Sequence, residues 1–421
     1  LVSMLELLKH TSQCLPAQDE RPGKPAADGT TQSVALLIRM AFSLGNLTAS
    51  NEGNRCHILE HGGAQILVGL LHRATQHYHL EVEAEAGNVP EAGQRRDSQP
   101  GAGSDESEEL LVKLIRLIAN MSISPVVGPA LAGSPGVEEL ADLLRHSLRR
   151  QREELLLNAV SAITNLSFYG PDPDPRGRAA EEGKSSGEGK ERDEEEEEKG
   201  TWRNLVFRRY KTLCGDLVGV LLHENEEAVA EAARAFGNFS RAAVARKFMT
   251  QSRADEALVI LLDHSSREVV FAAAGALVNL GADPEAKEVL WLGELGGCTK
   301  LVEVLRCAGL KDLPLAAVAA KALFNALFDF TSDADAGKAS AEQSLEDLDM
   351  VLGGGGSTER LRRSLEELLE AAREGADQEK PGCAEFITAA SALEGVLVAA
   401  LEAWRREGSQ YEDLDVPPTR K

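Results

Sequence analysis

The stretch AITNLSFYG, Ala162 to Gly170, sets an asparagine in the middle of an apolar run of helical character. Its amide there competes with the backbone for hydrogen bonds and gains the helix nothing locally. The phrase recurs: SLGNLT surrounds Asn46, LIANMS Asn120, AFGNFS Asn238, ALVNLG Asn279 and ALFNAL Asn325. Successive asparagines lie 74, 45, 73, 41 and 46 residues apart. Three of these spacings match the ~40–47-residue period of repeats built from two or three helices, and the two long ones exceed it by roughly 30 residues. The excess falls on two segments rich in Gly, Pro, Ser and charge, about 77–107 and about 170–200. Neither carries enough apolar surface to offset the entropy of ordering, so both read as disordered insertions within a regular array.

Between the asparagine helices a second apolar pattern repeats: GGAQILVGLL (62–71), GVEELADLL (136–144), CGDLVGVLL (214–222), ADEALVILL (254–262) and GGCTKLVEVL (296–305). Leucine and valine recur there at helical spacing, and a glycine before several of these helices allows the sharp corner into them. The unit is therefore a short helix, a glycine corner, a helix with a Leu-Val stripe, a loop, and an Ala-rich helix ending in Asn. Such a unit cannot bury its own apolar faces and must stack on its neighbours, which predicts an all-α solenoid. The expected layout is a partial repeat and loop over 1–30, the array over 31–340, C-terminal capping helices over 341–408 and a tail over 409–421. A chain of 421 residues that is 43% apolar but only 4% aromatic must build this interior from Ala, Leu and Val, as packed helices do.

These patterns resemble the armadillo repeat, over about Leu36 to Asp329. Three segments, 109–144, 158–169 and 296–330, are similar more specifically to a ciliary branch of the armadillo superfamily. That resemblance implies a non-enzymatic adaptor in the cytoplasm and cilium or flagellum. It would link radial-spoke precursors of the axoneme to the intraflagellar transport machinery. A general cytosolic armadillo scaffold or small-GTPase regulator is the alternative.

Helical geometry places positions −2 and +1 from each Asn on a buried seam, and positions −4 and −7 on the Asn face itself. In armadillo proteins that face lines a groove where asparagines bond the backbone of an extended peptide. The resemblance thus implies peptide-groove roles for Asn46, Asn120, Asn165, Asn238, Asn279 and Asn325. Capping of its own helix, or ties between repeats, are the competing uses of each asparagine. The −4 positions are Phe42, Arg116, Ser161, Arg234, Gly275 and Lys321, not the tryptophans of importin-alpha-type import receptors. With Arg39 and Lys113 at −7, Arg116, Arg234 and Lys321 form a broken basic stripe, which calls for an acidic or phosphorylated segment.

The net charge of −23 argues against nucleic acid as partner. No uninterrupted apolar run approaches the ~18 residues of a membrane span, so no membrane insertion is expected. LVSMLELLKH lacks a signal-peptide pattern, and Leu1 in place of Met reads as the start of a fragment. Six scattered cysteines without a CxxC pair read as reduced thiols. Cys56, His57, His61, His72, His77 and His79 straddle the corner at Gly62 and Gly63 and enter the first insertion, and no closed zinc spacing appears, so no metal is expected. GGGGSTER (353–360) lacks the phosphate-loop lysine and reads as a linker. No catalytic residues and no cofactor are indicated. NLT, NMS, NLS and NFS match the glycosylation acceptor pattern and are expected to do so by coincidence.

Overall fold

The computed structural model describes residues 1–15, 28–87, 102–170, 202–284, 286–291, 294–328, 341–374 and 380–412. They form two compact units, Leu1–Phe239 and Ser240–Lys421, and the elements in both are helices.

The first unit opens with α1 (Val2–Ser12) and α2 (Asp28–Ala49). Three layers follow: α3 (Glu52–Glu60), α4 (Gly63–Gly87) and α5 (Ala102–Ser122); α6 (Gly128–Ala132), α7 (Gly136–Arg150) and α8 (Glu153–Ser167); α9 (Leu205–Arg208), α10 (Tyr210–Leu221) and α11 (Glu226–Phe239). Asparagine helices stack as α2, α5, α8, α11, and the middle helices as α1, α4, α7, α10. Asn51 starts α3 by accepting from the Asn54 N–H at 2.9 Å, the usual N-cap bond. The corner into α4 has two distinct requirements. Gly62 sits at φ 72°, a backbone that strains any residue with a Cβ. A Cβ on Gly63 would lie 2.3 Å from Ile58, so the crossing itself excludes a side chain.

The second unit contains α12 (Ala243–Gln251), α13 (Ala254–Ile260), α14 (Arg267–Gly281), α15 (Glu288–Trp291), α16 (Gly297–Ala308) and α17 (Leu313–Leu327). It ends with α18 (Ala341–Val351), α19 (Ser357–Glu374) and α20 (Cys383–Glu412). Here α14 packs on α17 and α17 on α20, while α19 packs on α20. The last pair thus repeats the arrangement of a middle helix and an asparagine helix, without an asparagine. Residues 383–406 are apolar and long enough to cross a membrane. Their buried side chains, Phe386, Ala390, Leu393, Leu397 and Leu401, recur at helical spacing, as the core helix of a solenoid requires.

The seam behaves as its periodicity dictates. Leu44, Ile118, Met121, Ile163, Leu166, Phe236, Phe239, Leu277, Leu280, Leu323 and Ala326 are all buried. Burying each leucine-sized side chain is worth about 1.5–3 kcal/mol. Leu47 departs from the pattern at 44% exposure. It sits on α2, and the side that α5 and α8 turn toward an earlier asparagine helix has no such neighbour among the described residues.

Two further expectations need correction. The first insertion was expected to begin at His77, yet α4 continues to Gly87 and α5 starts at Ala102. His77 and Tyr78 are buried, and His77 Nδ1 lies 2.9 Å from Ser107 Oγ on α5. A polar-looking sequence stays helical there because neighbouring helices supply its partners. The insertion at 170–200 lies outside the described residues beyond Gly170. GGGGSTER is an ordered connection rather than a linker. Gly353, Gly354, Gly355 and Gly356 all have positive φ, and the Asp349 carboxylate accepts from the N–H groups of Gly356 (2.8 Å) and Thr358 (2.9 Å). The concave run of amides therefore already holds an anion, one supplied by the chain itself.

Candidate functional site

In the first unit the asparagine amides point to the preceding repeat. Asn120 Nδ2 donates to Gly45 O, Asn165 Nδ2 to Ala119 O and Asn238 Nδ2 to Thr164 O, each at 3.1 Å. Each acceptor is the residue just before the preceding asparagine, so a single register runs through the unit. A carbonyl has two lone pairs, so the helix's own N–H bond does not exclude the visitor. The second unit repeats the device within its own bounds. Asn325 Nδ2 donates to Val278 O at 2.8 Å, and Asn279 Nδ2 to Ser240 Oγ at 2.9 Å. These five asparagines are half-buried rather than exposed, because each leans on its neighbour; Asn46, first in the row, is exposed.

The glycosylation-like pattern has a structural cause after all. Two residues after the asparagine stand Thr48, Ser122, Ser167 and Ser240, all fully buried. Thr48 donates to Leu44 O, Ser122 to Ile118 O and Ser167 to Thr164 O, closing the last turn of their own helices. Ser167 Oγ also accepts from Asn238 Nδ2 at 2.9 Å. In the fifth repeat the position is Gly281, where a Cβ would lie 3.2 Å from Ala322 O. The close approach of α17 leaves no room for a hydroxyl.

The basic stripe is only partly available. Arg234 is ion-paired to Glu231 three residues earlier on α11, and Lys113 Nζ lies 3.8 Å from Glu154 on α8. Burial raises the Glu231 carboxyl above the usual range, and Arg234 opposes that shift. Arg39, Arg116 and Lys321 are exposed, and no acidic acceptor meets them among the described residues. Of the other −4 residues, Phe42 is exposed and Ser161 and Gly275 are half-buried.

Three residues beyond the asparagine, on the same face, lies a feature that the asparagine spacing alone does not reveal. Ile123 is 53% exposed, Phe168 63% and, in the second unit, Phe328 50%. Large apolar side chains so exposed, at one repeat position, are a signal that counting to +3 would have found. Across the Asn row of the first unit, one edge is thus cationic at Arg39 and Arg116, and the other apolar at Ile123 and Phe168.

No protein-family model matches the chain. Among curated proteins it is similar to armadillo repeat-containing protein 2 of Homo sapiens, 31% identical over 293 residues, and of Mus musculus, 32% identical over 296 residues; each alignment covers 69% of this chain and 29% of the relative. Among solved structures it is similar to computationally designed armadillo repeat proteins for modular peptide recognition, at 20% identity and a TM-score of 0.48, covering 76% of this chain and 99% of the other. The three-helix unit, its glycine corners and its asparagine row define an armadillo-repeat protein, and the chain belongs to the armadillo superfamily. Within it the chain is homologous to armadillo repeat-containing protein 2. It spans 29% of the length of those relatives.

Proposed function

We propose that the array is a non-enzymatic adaptor that holds an extended acidic or phosphorylated segment along its asparagine row. The observation that carries this reading is Arg116, exposed four residues before Asn120 on the Asn face, with no acidic acceptor among the described residues. The ladder occupies one amide proton of Asn120 and Asn165, and an Asn side chain has a second proton and two oxygen lone pairs to offer a peptide backbone. Successive side chains of an extended segment point to opposite sides. A ligand that alternates acidic with apolar residues would set its acids toward Arg39 and Arg116 and its apolar groups toward Ile123 and Phe168. Arg116→Glu should weaken binding of such a peptide by about tenfold or more, the scale of one charge-assisted hydrogen bond turned into repulsion. Isothermal titration against the phosphorylated and unphosphorylated forms reads this directly, and unchanged affinity would remove the groove from the proposal.

The biological setting we propose is the assembly of motile cilia, with radial-spoke precursors as cargo and intraflagellar transport as carrier, in the cytoplasm and cilium or flagellum. Homology to armadillo repeat-containing protein 2 over 69% of the chain supports this choice among armadillo roles. The test is localisation of tagged protein together with axoneme cross-sections of cells lacking it. Loss of spokes with other axonemal structures intact is expected; intact spokes would reject the role.

A further inference from the structure

We propose that His57, Glu60 and His61, at the end of α3, form a binding site for a divalent transition-metal ion of the zinc, copper and nickel class. The inference is independent of the peptide groove. The candidate ligand atoms of the three side chains lie within 4.8 Å of one another, and the two imidazole rings are 4.3 Å apart. Residues i and i+4 share a helix face, and i+3 lies beside them, so the helix itself brings the three together.

The fold sorts the histidines that the sequence left as one crowd. Within hydrogen-bonding range, His72 Nδ1 lies 2.6 Å from Glu139, His79 Nε2 2.7 Å from Asp142, and His77 Nδ1 2.9 Å from Ser107. Those three tie α4 to α7 and α5. Cys56 turns to Glu52, its Sγ 3.5 Å from Oε1. His57 and His61 remain as a pair on the surface.

The His61 ring has the outer support common to metal-bound histidines. Its Nδ1 lies 2.8 Å from the His57 carbonyl oxygen; as a donor to that oxygen it fixes the tautomer and leaves the Nε2 lone pair for a ligand. Glu60 Oε2 stands 3.8 Å from His57 Nδ1, close enough to add a carboxylate to two imidazoles. This donor set suits zinc, copper or nickel rather than the all-oxygen preference of magnesium or calcium. The helix also favours a cation here. Glu60 is the last residue of α3 and His61 its C-cap, where the partial negative charge of the helix end lies.

The spacing His-x-x-Glu-His also occurs in one class of zinc hydrolases. Hydrolysis by such a set needs a shaped cavity that excludes bulk water. Glu60 and His61 are exposed and His57 half-exposed, so binding is inferred without a reaction.

The experiment is isothermal titration of the full chain with ZnCl2 and, separately, NiCl2, with circular dichroism as a check that each variant is folded. One ion per chain should depend on this cluster. His57→Ala and His61→Ala should each weaken binding by about tenfold or more, at least what losing a supporting partner costs a metal site. Glu60→Gln should weaken it less, and Cys56→Ser and His72→Ala should leave it unchanged. Wild-type affinity in both histidine variants, or loss of the ion in Cys56→Ser, would overturn the assignment.

Discussion

An asparagine near the end of a packed helix is expensive unless its amide finds a partner, and here the partner lies on the preceding repeat. Asn165→Ala removes the donor to Ala119 O and should cost about 1 kcal/mol of folding stability, the usual net worth of one such bond. Asn46, exposed and first in the row, gives a matched control, and Asn46→Ala should leave stability within about 0.5 kcal/mol. Urea unfolding of the two variants makes the comparison. Equal losses would mean that the ladder contributes nothing beyond the helix. If Asn165→Ala also weakens peptide binding per folded molecule, the same side chain serves both the stack and the groove. That an asparagine recurs in register is plain from the sequence. Its partner is not, because Gly45, Ala119 and Thr164 are named only by the three-dimensional offset between helices.

Pairs of elements set the next scale. Gly281 on α14 would place a Cβ 3.2 Å from Ala322 O and 3.3 Å from Ala326 N on α17, and both are helical backbone that cannot swing aside. Gly281→Ala should therefore destabilise the second unit by about 1–3 kcal/mol, the range for overpacking, despite alanine's better helix propensity. A stabilised variant in thermal unfolding would contradict that. Where α4 meets α5 and α7 the corresponding sensitivity is to protons. Burial lowers the pKa of His77 and of His146, and the neighbouring His79 lowers His146 further. The unfolded chain then binds more protons than the folded one as pH falls. The stability these groups support is complete above the ordinary imidazole pKa of about 6.5 and is lost as pH drops through it toward the folded values. The half-buried carboxyls Glu108 and Glu231 are shifted upward by desolvation, an opposite effect that begins nearer the carboxylate range. Between pH 7.5 and 5.5 the histidines dominate, so Tm should fall, and fall less in a His77→Gln, His146→Gln double variant. A parallel decline in both proteins would assign the effect elsewhere.

For the molecule as a whole, the period and the seam were legible because they are set by helix geometry and apolar spacing, and eleven of the twelve seam positions are buried. What was hidden depends on contacts across the repeat. Nothing local marks Lys113 as the neighbour of Glu154, or His77 as the partner of Ser107, and so the basic stripe looked fuller, and the first insertion longer, than they are. Charge adds a prediction at this scale. A net −23 over 421 residues repels itself more in the compact state than in the unfolded chain. Raising ionic strength from about 0.01 to about 0.15 M shortens the screening length from about 30 to about 8 Å. Tm should rise, since the partly buried pairs Arg246–Asp283 and Arg145–Asp216 are screened less than the exposed excess of acid. A flat or falling Tm would show that ion pairs outweigh the repulsion.

The backward-pointing amides also give the polypeptide a grain. Asn120, Asn165 and Asn238 each reach toward residues synthesised earlier. A ribosome building the chain from the N-terminus therefore releases each of these three helices onto a template already in place. Chain growth and hydrogen bonding proceed in the same direction, and no asparagine of that row has to wait for a residue still to be translated.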